Sequence, residues 1–219
     1  MDYFILNQNT RLAAENNMEV PVKHAVDRWN RDMSMTILPS KEEENEIVLR
    51  KENMEKEAYR IEVQKKQIFI FSATSLGFIY ALHSLSETYL EIQPFWFWND
   101  QKLVKKEKAE IPCGVYEHPK WRIRYRGWFI NDEVLISHWN AGVSKEYPWQ
   151  MVFEALLRLG GNLVIPGTDK NARIYAPLAC EMGLMITHHH AEPLGAEMFA
   201  RAYPELEPSY LKHEDLFVQ

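Results

Sequence analysis

Two kinds of hydrophobic pattern fill the first part of the chain, alternation typical of strands and three- to four-residue spacing typical of helices. Helical spacing predicts helices over residues 20–33 and 76–90, and His83 lies on or beside the core stripe of the second. A histidine in that position is expected to be a hydrogen-bonded core residue. Short β-rich runs predict strands over residues 3–7, 46–50, 59–64 and 67–71. The pattern therefore predicts a small α+β unit.

Apolar runs and helical patterns alternate in the second part of the chain. They predict a strand over residues 121–133, a helix over 149–159, a strand over 162–166, a helix over 171–182 and a strand over 184–188. Strands and helices that alternate at this spacing are typical of a parallel β/α arrangement. A closed eight-stranded barrel takes about 250 residues, so the predicted arrangement is only the beginning of one.

Charged, proline- and glycine-containing residues between positions 102 and 119 separate the two patterns, and a domain boundary is predicted there. The predicted fold class is α/β, with a small N-terminal α+β domain over residues 1–110. Residues 111–219 are predicted to form the first β/α units of a truncated (β/α)8 TIM barrel. A self-contained small domain of another shape is the alternative, and a fragment of a longer enzyme is the favoured interpretation.

The predicted strand over residues 121–133 combines arginine and aromatic residues with a polar end. Because side chains alternate along a strand, Arg124, Arg126 and Trp128 should share one face. Such a face would lose much hydration against an apolar layer, so it is expected to line a polar cavity. A solvated face of an antiparallel sheet is the alternative. The polar end favours the cavity, because chemistry in β/α barrels lies where strands give way to loops. This end consists of Asn131, Asp132 and Glu133.

A second polar cluster follows the last predicted strand and contains His188, His189, His190 and Glu192. Imidazoles at alternate strand positions can converge on zinc, although the spacing of helical zinc motifs is absent here. A site that hydrogen-bonds a polar ligand is the favoured interpretation, and no metal is predicted. The two clusters end neighbouring parallel strands, so they are expected to face one pocket. Carboxylates, imidazoles and amides together suit a hydroxyl-rich ligand.

Composition narrows the functional classes. The chain has 219 residues, 46% of them hydrophobic and 26% charged, which is typical of a soluble globular protein. A net charge of -6 makes nucleic acid an unexpected partner, because phosphate binding needs a basic surface. Cys113 and Cys180 form neither a disulfide framework nor a CxxC motif. No signal peptide or membrane segment is evident, so a cytoplasmic location is expected, or a secreted or periplasmic one if the natural N-terminus lies upstream.

Four segments carry family patterns in a consistent order. Residues 94–100 (PFWFWND) resemble the pattern SPWYWWAD, and residues 125–133 (YRGWFINDE) resemble YRGIFINDE. Residues 153–163 follow the pattern LLRLKANYLWPA, and residues 189–193 (HHAEP) resemble SHHEP. The chain therefore resembles the N-terminal part of glycoside hydrolase family 115, the xylan α-1,2-glucuronidase family.

The resemblance implies an N-terminal α+β domain like those that precede the barrels of hexosaminidases, followed by a TIM barrel that carries the active site. It implies a hydrolase that releases glucuronic or 4-O-methylglucuronic acid from a plant polysaccharide such as xylan, without a cofactor. Its general acid and base would lie downstream of Gln219, so this chain alone is expected to be inactive. The expected partner is a uronic-acid-bearing oligo- or polysaccharide, without nucleic acid or membrane, and a homodimer of the full-length enzyme is allowed.

By the same resemblance, Asp132, His190 and Glu192 would belong to the sugar pocket. The complete set expected to bind substrate is Arg126, Asn131, Asp132, Glu133, His189, His190 and Glu192.

Two departures from the family pattern fall in the same region. Residues 165–169 (IPGTD) replace a tryptophan of the pattern, and Ala191 is inserted between the histidines and Glu192. The substrate of the family is therefore only an expectation for this chain. A barrel hydrolase for a neutral or N-acetylated sugar is one alternative. A non-catalytic carbohydrate-binding or assembly module is another.

Overall fold

The computed structural model describes residues 2–14, 18–136, 138–189 and 198–217, without the side chains of Glu133 and Asp169. Its architecture is mixed α/β. The first unit runs in the order β1 (Tyr3–Leu6), β2 (Thr10–Ala13), α1 (Val20–Thr36), β3 (Asn45–Lys51), β4 (Tyr59–Val63), β5 (Gln67–Ser72), α2 (Ser75–Tyr89), β6 (Ala109–Pro112) and β7 (Gly114–His118).

The remaining elements begin with β8 (Gly127–Phe129), which precedes one π-helical turn (Asp132–Ile136). They continue with α3 (Tyr147–Arg158), β9 (Leu163–Ile165), α4 (Asp169–Glu181), β10 (Met185–Ile186), α5 (Phe199–Ala202) and α6 (Glu214–Phe217).

A five-stranded sheet of order β2-β3-β5-β4-β7 forms the first unit. Buried and half-buried residues alternate along β4 and β5, as expected for strands with one face in the core. Helix α2 packs against β4 and β5, helix α1 packs against α2, and both contribute buried residues such as Trp29 and Phe78 to the core. Strand β7 pairs with β4 and so belongs to this sheet, whereas the domain boundary predicted at residue 110 stays a prediction. The short strands β1 and β6 pair separately.

A three-stranded parallel sheet of order β10-β9-β8 follows, with helices α3 and α4 between its strands. Gly127 opposes Leu163 so closely that a Cβ atom would lie 1.9 Å from the Leu163 carbonyl oxygen. Only glycine permits this approach. The three strands do not close into a barrel within the described part of the chain.

The predicted strand over residues 121–133 is wrong in length, because only Gly127–Phe129 is extended in the sheet. The side chain of Arg126 donates to the carbonyl oxygens of Ile123 (2.6 Å) and Arg124 (3.4 Å), so these carbonyls point towards the guanidinium instead of a neighbouring strand. Arg124 and Arg126 therefore do not share a strand face with Trp128, as the alternation had predicted. No helix of the described residues is long and apolar enough to span a membrane.

Buried ion pairs join helix α1 to helix α3. Arg31 binds the Glu154 carboxylate at 2.7 and 2.8 Å, and Arg158 reaches Asp32 at 2.5 Å and Glu154 at 2.8 Å. Trp96 donates its indole N–H to Glu154 at 3.1 Å. Only 3% or less of the Asp32, Glu154 and Arg158 side chains is exposed. The two units therefore share one core that contains compensated charges.

His83 completes this cluster from helix α2. It is 4% exposed, and its Nε2 accepts a hydrogen bond from Arg28 Nε at 3.3 Å. Burial, with the nearby charges of Arg158 and Arg28, lowers the pKa of His83 well below 6.5, so the ring is neutral. The prediction of a hydrogen-bonded core histidine is confirmed.

The ionised state of Glu154 is strongly favoured in the folded protein. Burial opposes ionisation, but the hydrogen bonds from Arg31 and the charges of Arg158, Arg31 and Arg28 outweigh it. The pKa of Glu154 is therefore held far below its usual 4.5. A depressed folded-state pKa contributes stability above the unfolded pKa, and that contribution is lost as the pH falls towards the folded value.

We expect Glu154→Gln to lower the free energy of unfolding by about 3 kcal/mol at neutral pH, because Arg31 and Arg158 would lose a buried counter-charge. Urea denaturation measures this loss, with the exposed Glu87→Gln as the matched control. The wild-type protein should lose more stability than the variant as the pH falls below 4.5. Equal pH dependence of both proteins would contradict the account.

Candidate functional site

The carboxyl ends of β8 and β9 are joined by the buried carboxylate of Asp132, which is 1% exposed. Its Oδ1 accepts hydrogen bonds from the backbone N–H and the hydroxyl of Thr168, both at 3.0 Å. Its Oδ2 accepts one from Asn171 Nδ2 at 2.7 Å. Thr168 is the N-cap residue of helix α4. Asp132 therefore fixes the start of this helix against the end of β8 and adds a favourable negative charge there.

Gly167 makes room for this arrangement. It has a φ of +93°, and a Cβ atom at this position would lie 3.0 Å from Asp132 Cγ and 2.8 Å from the Trp149 ring. Trp149 in turn stacks on Tyr175 with ring centroids 4.0 Å apart. Residues 165–169, which depart from the family pattern, thus include Gly167, which leaves room for Asp132, and Thr168, which donates hydrogen bonds to it.

Arg126 lies at the other end of β8. Its guanidinium binds Glu57 at 2.5 Å, the Tyr80 hydroxyl at 3.2 Å and the Gly160 carbonyl oxygen at 2.7 Å. Glu57 also accepts a hydrogen bond from the buried Asn162 at 2.9 Å. The structure therefore separates Arg126 from Asn131 and Asp132 by the length of the strand and gives it partners in the first unit.

Besides Asp132, three of the residues predicted for the site lie near the carboxyl end of β8. Asn131 is exposed, and its Oδ1 accepts a hydrogen bond from Val134 N at 3.4 Å. The half-buried His189 has its ring centroid 4.9 Å from that of Phe129, so the residues after β10 reach β8. Glu133 lies in the π-helical turn, but its side chain is outside the described part of the structure. His190 and Glu192 also lie outside the described residues. Direct sugar contacts of all these residues stay predictions.

Two cavities open beside Asn131 and the loop after it, and Trp139 lines both. The first, of about 570 Å³, is mainly aromatic and aliphatic, and the second, of about 720 Å³, is more polar. Trp139 is 49% exposed and meets Trp98 edge to face with ring centroids 5.3 Å apart. The polar cavity also contains His138, Asn140, Lys145 and Asn171.

An exposed indole beside amide, hydroxyl and amino groups can stack on a sugar ring while the polar groups hold its hydroxyls. Sequence reasoning gave Trp139 and Asn140 no role. The sequence feature that could have indicated them is an aromatic and an amide residue in the loop that follows a polar strand end. This loop, rather than the strand, forms most of the cavity wall.

No group of three or more potential metal ligands occurs among the residues that the structure describes. His188 and His189 belong to the described part, whereas His190 and Glu192 do not. The zinc alternative for the histidine cluster is therefore not tested.

Comparison with known structures shows what the fold resembles. A family GH115 4-O-methyl-α-glucuronidase with specificity for decorated arabinogalactans superposes with a TM-score of 0.71 at 21% identity, over 87% of this chain and 30% of that chain. A chitobiase from Flavobacterium johnsoniae superposes with a TM-score of 0.57 at 16% identity, over 94% of this chain and 35% of that chain. A β-hexosaminidase from Streptomyces plicatus superposes with a TM-score of 0.61 at 11% identity, over 85% of this chain and 42% of that chain.

These identities establish similarity of fold alone, and the chain spans less than half the length of each of these enzymes. No curated protein sequence matches the chain. The model of glycosyl hydrolase family 115 matches residues 118–218, a segment that runs from the end of β7 through the candidate site. Over this segment, just under half of the chain, the resemblance to glycoside hydrolase family 115 that the sequence predicted is confirmed.

Proposed function

We propose that this chain is the N-terminal part of a glycoside hydrolase that releases glucuronic or 4-O-methylglucuronic acid from a decorated polysaccharide. The family match over residues 118–218 carries this proposal. The similar 4-O-methyl-α-glucuronidase is described as specific for decorated arabinogalactans, whereas xylan is the substrate implied by the family resemblance. Both glycans are therefore candidate substrates of the whole enzyme.

The parallel sheet β10-β9-β8 would be the first part of a (β/α)8 barrel. Its strand-to-loop ends carry Asn131 and His189, and active sites in such barrels lie at these ends. In this proposal Trp139 stacks on a sugar ring, while Asn131 and His189 hydrogen-bond its hydroxyl or carboxylate groups. No cofactor is needed for this chemistry.

Glycoside hydrolysis usually requires two carboxyl groups that flank the scissile bond. Both oxygens of Asp132 already accept hydrogen bonds from the start of helix α4, and the residue is buried. We therefore assign Asp132 a positioning role beneath the pocket and place the general acid and base downstream of Gln219. The chain by itself would then be inactive.

A barrel hydrolase for an N-acetylated sugar is the second candidate. Its support is the fold similarity to the chitobiase and the β-hexosaminidase. A panel of nitrophenyl glycosides, including the β-N-acetylglucosaminide and the α-glucuronide, separates the two. Hydrolysis of the N-acetylglucosaminide alone by the longest natural protein that contains this sequence would favour the second candidate.

Release of the uronic acid is the most direct consequence of this proposal. The longest natural protein that contains this sequence should release glucuronic or 4-O-methylglucuronic acid from glucuronoxylan or from glucuronate-decorated arabinogalactan, as measured by chromatography. Residues 1–219 alone should release none. Absence of release from every uronic-acid-bearing glycan would overturn the proposal.

Trp139 is the side chain that is proposed to stack on the sugar ring. Trp139→Ala should raise the KM of that protein about tenfold, because a lost stacking contact costs about 1.4 kcal/mol. Tyr3→Ala, which removes a comparably exposed aromatic from β1, serves as the control. An unchanged KM in the Trp139 variant would exclude the indole from the sugar site.

The stability of an Asp132 variant separates a positioning role of this residue from a sugar contact. Asp132→Ala should lower the free energy of unfolding by about 2 kcal/mol, because Thr168 and Asn171 lose their acceptor. Urea denaturation measures the loss, with the exposed Asp215→Ala as control. Unchanged stability together with a raised KM would instead indicate that Asp132 binds the sugar directly.

A further inference from the structure

The loop before β8 concentrates positive charge in a chain that is acidic overall. Residues 120–126 (KWRIRYR) contain four cationic side chains and no acidic one, whereas the whole chain has a net charge of -6. Of these four, the proposed function uses none. The loop lies at the amino ends of the parallel strands, opposite Asn131 and the two cavities described above.

Arg126 holds this loop in a fixed shape from within. Its Nη1 donates to the carbonyl oxygens of Ile123 and Arg124, and its Nη2 is anchored by Glu57 and Tyr80. Both Arg126 and Glu57 are largely buried, with 15% and 17% of their side chains exposed. The other arginines of the loop are therefore displayed from an ordered backbone, which lowers the entropy cost of binding a ligand.

Trp121 forms a rigid wall beside these arginines. Its ring centroid lies 6.1 Å from that of Tyr80, in an edge-to-face contact, and 4.8 Å from that of His118. The Cζ atom of Arg126 lies 4.8 Å from the centroid of the same ring. A Cβ atom on Gly160 would come within 2.4 Å of the same ring, so the indole is held closely on that side too. The indole is thus fixed in place before any ligand arrives.

A groove of about 540 Å³ runs along this loop, and Lys56, Trp121, Arg122, Arg124 and Tyr125 line it. Two cations of the groove are compensated, since Arg126 pairs with Glu57 and Lys120 with Glu55. Among the described residues, Lys56, Arg122 and Arg124 have no carboxylate within 4.0 Å. Arg124 rests on the half-exposed ring of Tyr125 at 4.9 Å. The groove therefore carries uncompensated positive charge between two aromatic side chains.

We propose that this groove binds a carboxylate-bearing glycan chain. Guanidinium groups pair with carboxylates in a two-pronged geometry, and aromatic rings pack against sugar rings. Nucleic acid is disfavoured, because binding of its phosphates needs a broad basic surface and the chain has a net charge of -6. The choice of a uronic acid polymer rests on the proposed function, whereas the charge and shape of the groove do not.

Binding is tested by calorimetry on residues 1–219 at low ionic strength with a short oligogalacturonate as the probe. We expect binding that weakens as sodium chloride is added, and a neutral xylo-oligosaccharide of similar length should not bind in the groove. The double variant Arg122→Gln/Arg124→Gln should raise the Kd about tenfold, because two charge-assisted contacts are lost. The control Lys102→Gln/Lys105→Gln makes the same change in net charge at exposed positions outside the groove.

Equal loss of affinity in both double variants would overturn the proposal, since it would show a non-specific charge effect. Tighter binding of single-stranded DNA than of oligogalacturonate would also overturn it, in favour of a nucleic-acid surface. Circular dichroism should show that both double variants keep the wild-type fold. Failure of the hydrolase proposal would appear in the sugar-release assay alone, without changing the binding of oligogalacturonate by this groove.

Discussion

The arrangement of this chain depends most on the hydrogen bonds that the guanidinium of Arg126 donates. It satisfies carbonyl groups of its own loop, the carbonyl oxygen after helix α3 and two side chains of the first unit. Glu57 accepts hydrogen bonds from Arg126 and Asn162. Its φ is +65°, a backbone conformation that costs free energy in a residue with a side chain. The parallel sheet is thereby anchored to the first unit at the amino end of its first strand.

A second set of charges fixes the other side of this junction. The carboxylates of Asp32 and Glu154 and the guanidinium groups of Arg31 and Arg158 pair where helices α1 and α3 meet. Removing one member leaves another charge buried without a partner, so the set acts as a unit. With the amino end of β8 and helix α3 both held, the loops at the opposite end of the sheet are built on a rigid base. Such a base suits the proposed sugar site, whose side chains must be held in fixed positions.

Hydrophobic periodicity predicted most helices and strands because their burial follows the local pattern. The helix Val20–Thr36 and the hairpin of β4 and β5 agree with the predicted ranges within a few residues. The predicted strand over residues 121–133 is too long, because Arg126 donates to the carbonyl oxygens of Ile123 and Arg124. The tertiary contacts of Arg126 with Glu57 and Tyr80 hold its guanidinium in that position, and no local pattern predicts them. Strands β2, β6 and β7 were also not predicted. Strand β7 is mostly exposed and has no alternating burial pattern, and β2 and β6 are only four residues long.

The candidate site was predicted only in part. Asn131 and His189 lie at strand ends as the sequence indicated, but the burial of Asp132 could not be read from spacing because its partners belong to helix α4. Likewise, the sequence spacing of Glu154 and Arg158 is that of an exposed i, i+4 ion pair, and only the packing of helix α1 against them makes the pair buried. The contribution of Trp139 depends on how the loop folds over Trp98, which no local pattern encodes.

In the proposed enzyme, the carboxyl ends of these strands form one wall of a uronic-acid site that the remainder of a longer chain completes. This proposal can be tested by a crystal structure of the longest natural protein that contains this sequence, with glucuronic acid bound. We expect the sugar within hydrogen-bonding or stacking distance of Asn131, Trp139 or His189, beside two carboxylates contributed from beyond Gln219. A sugar bound away from these strand ends would contradict it.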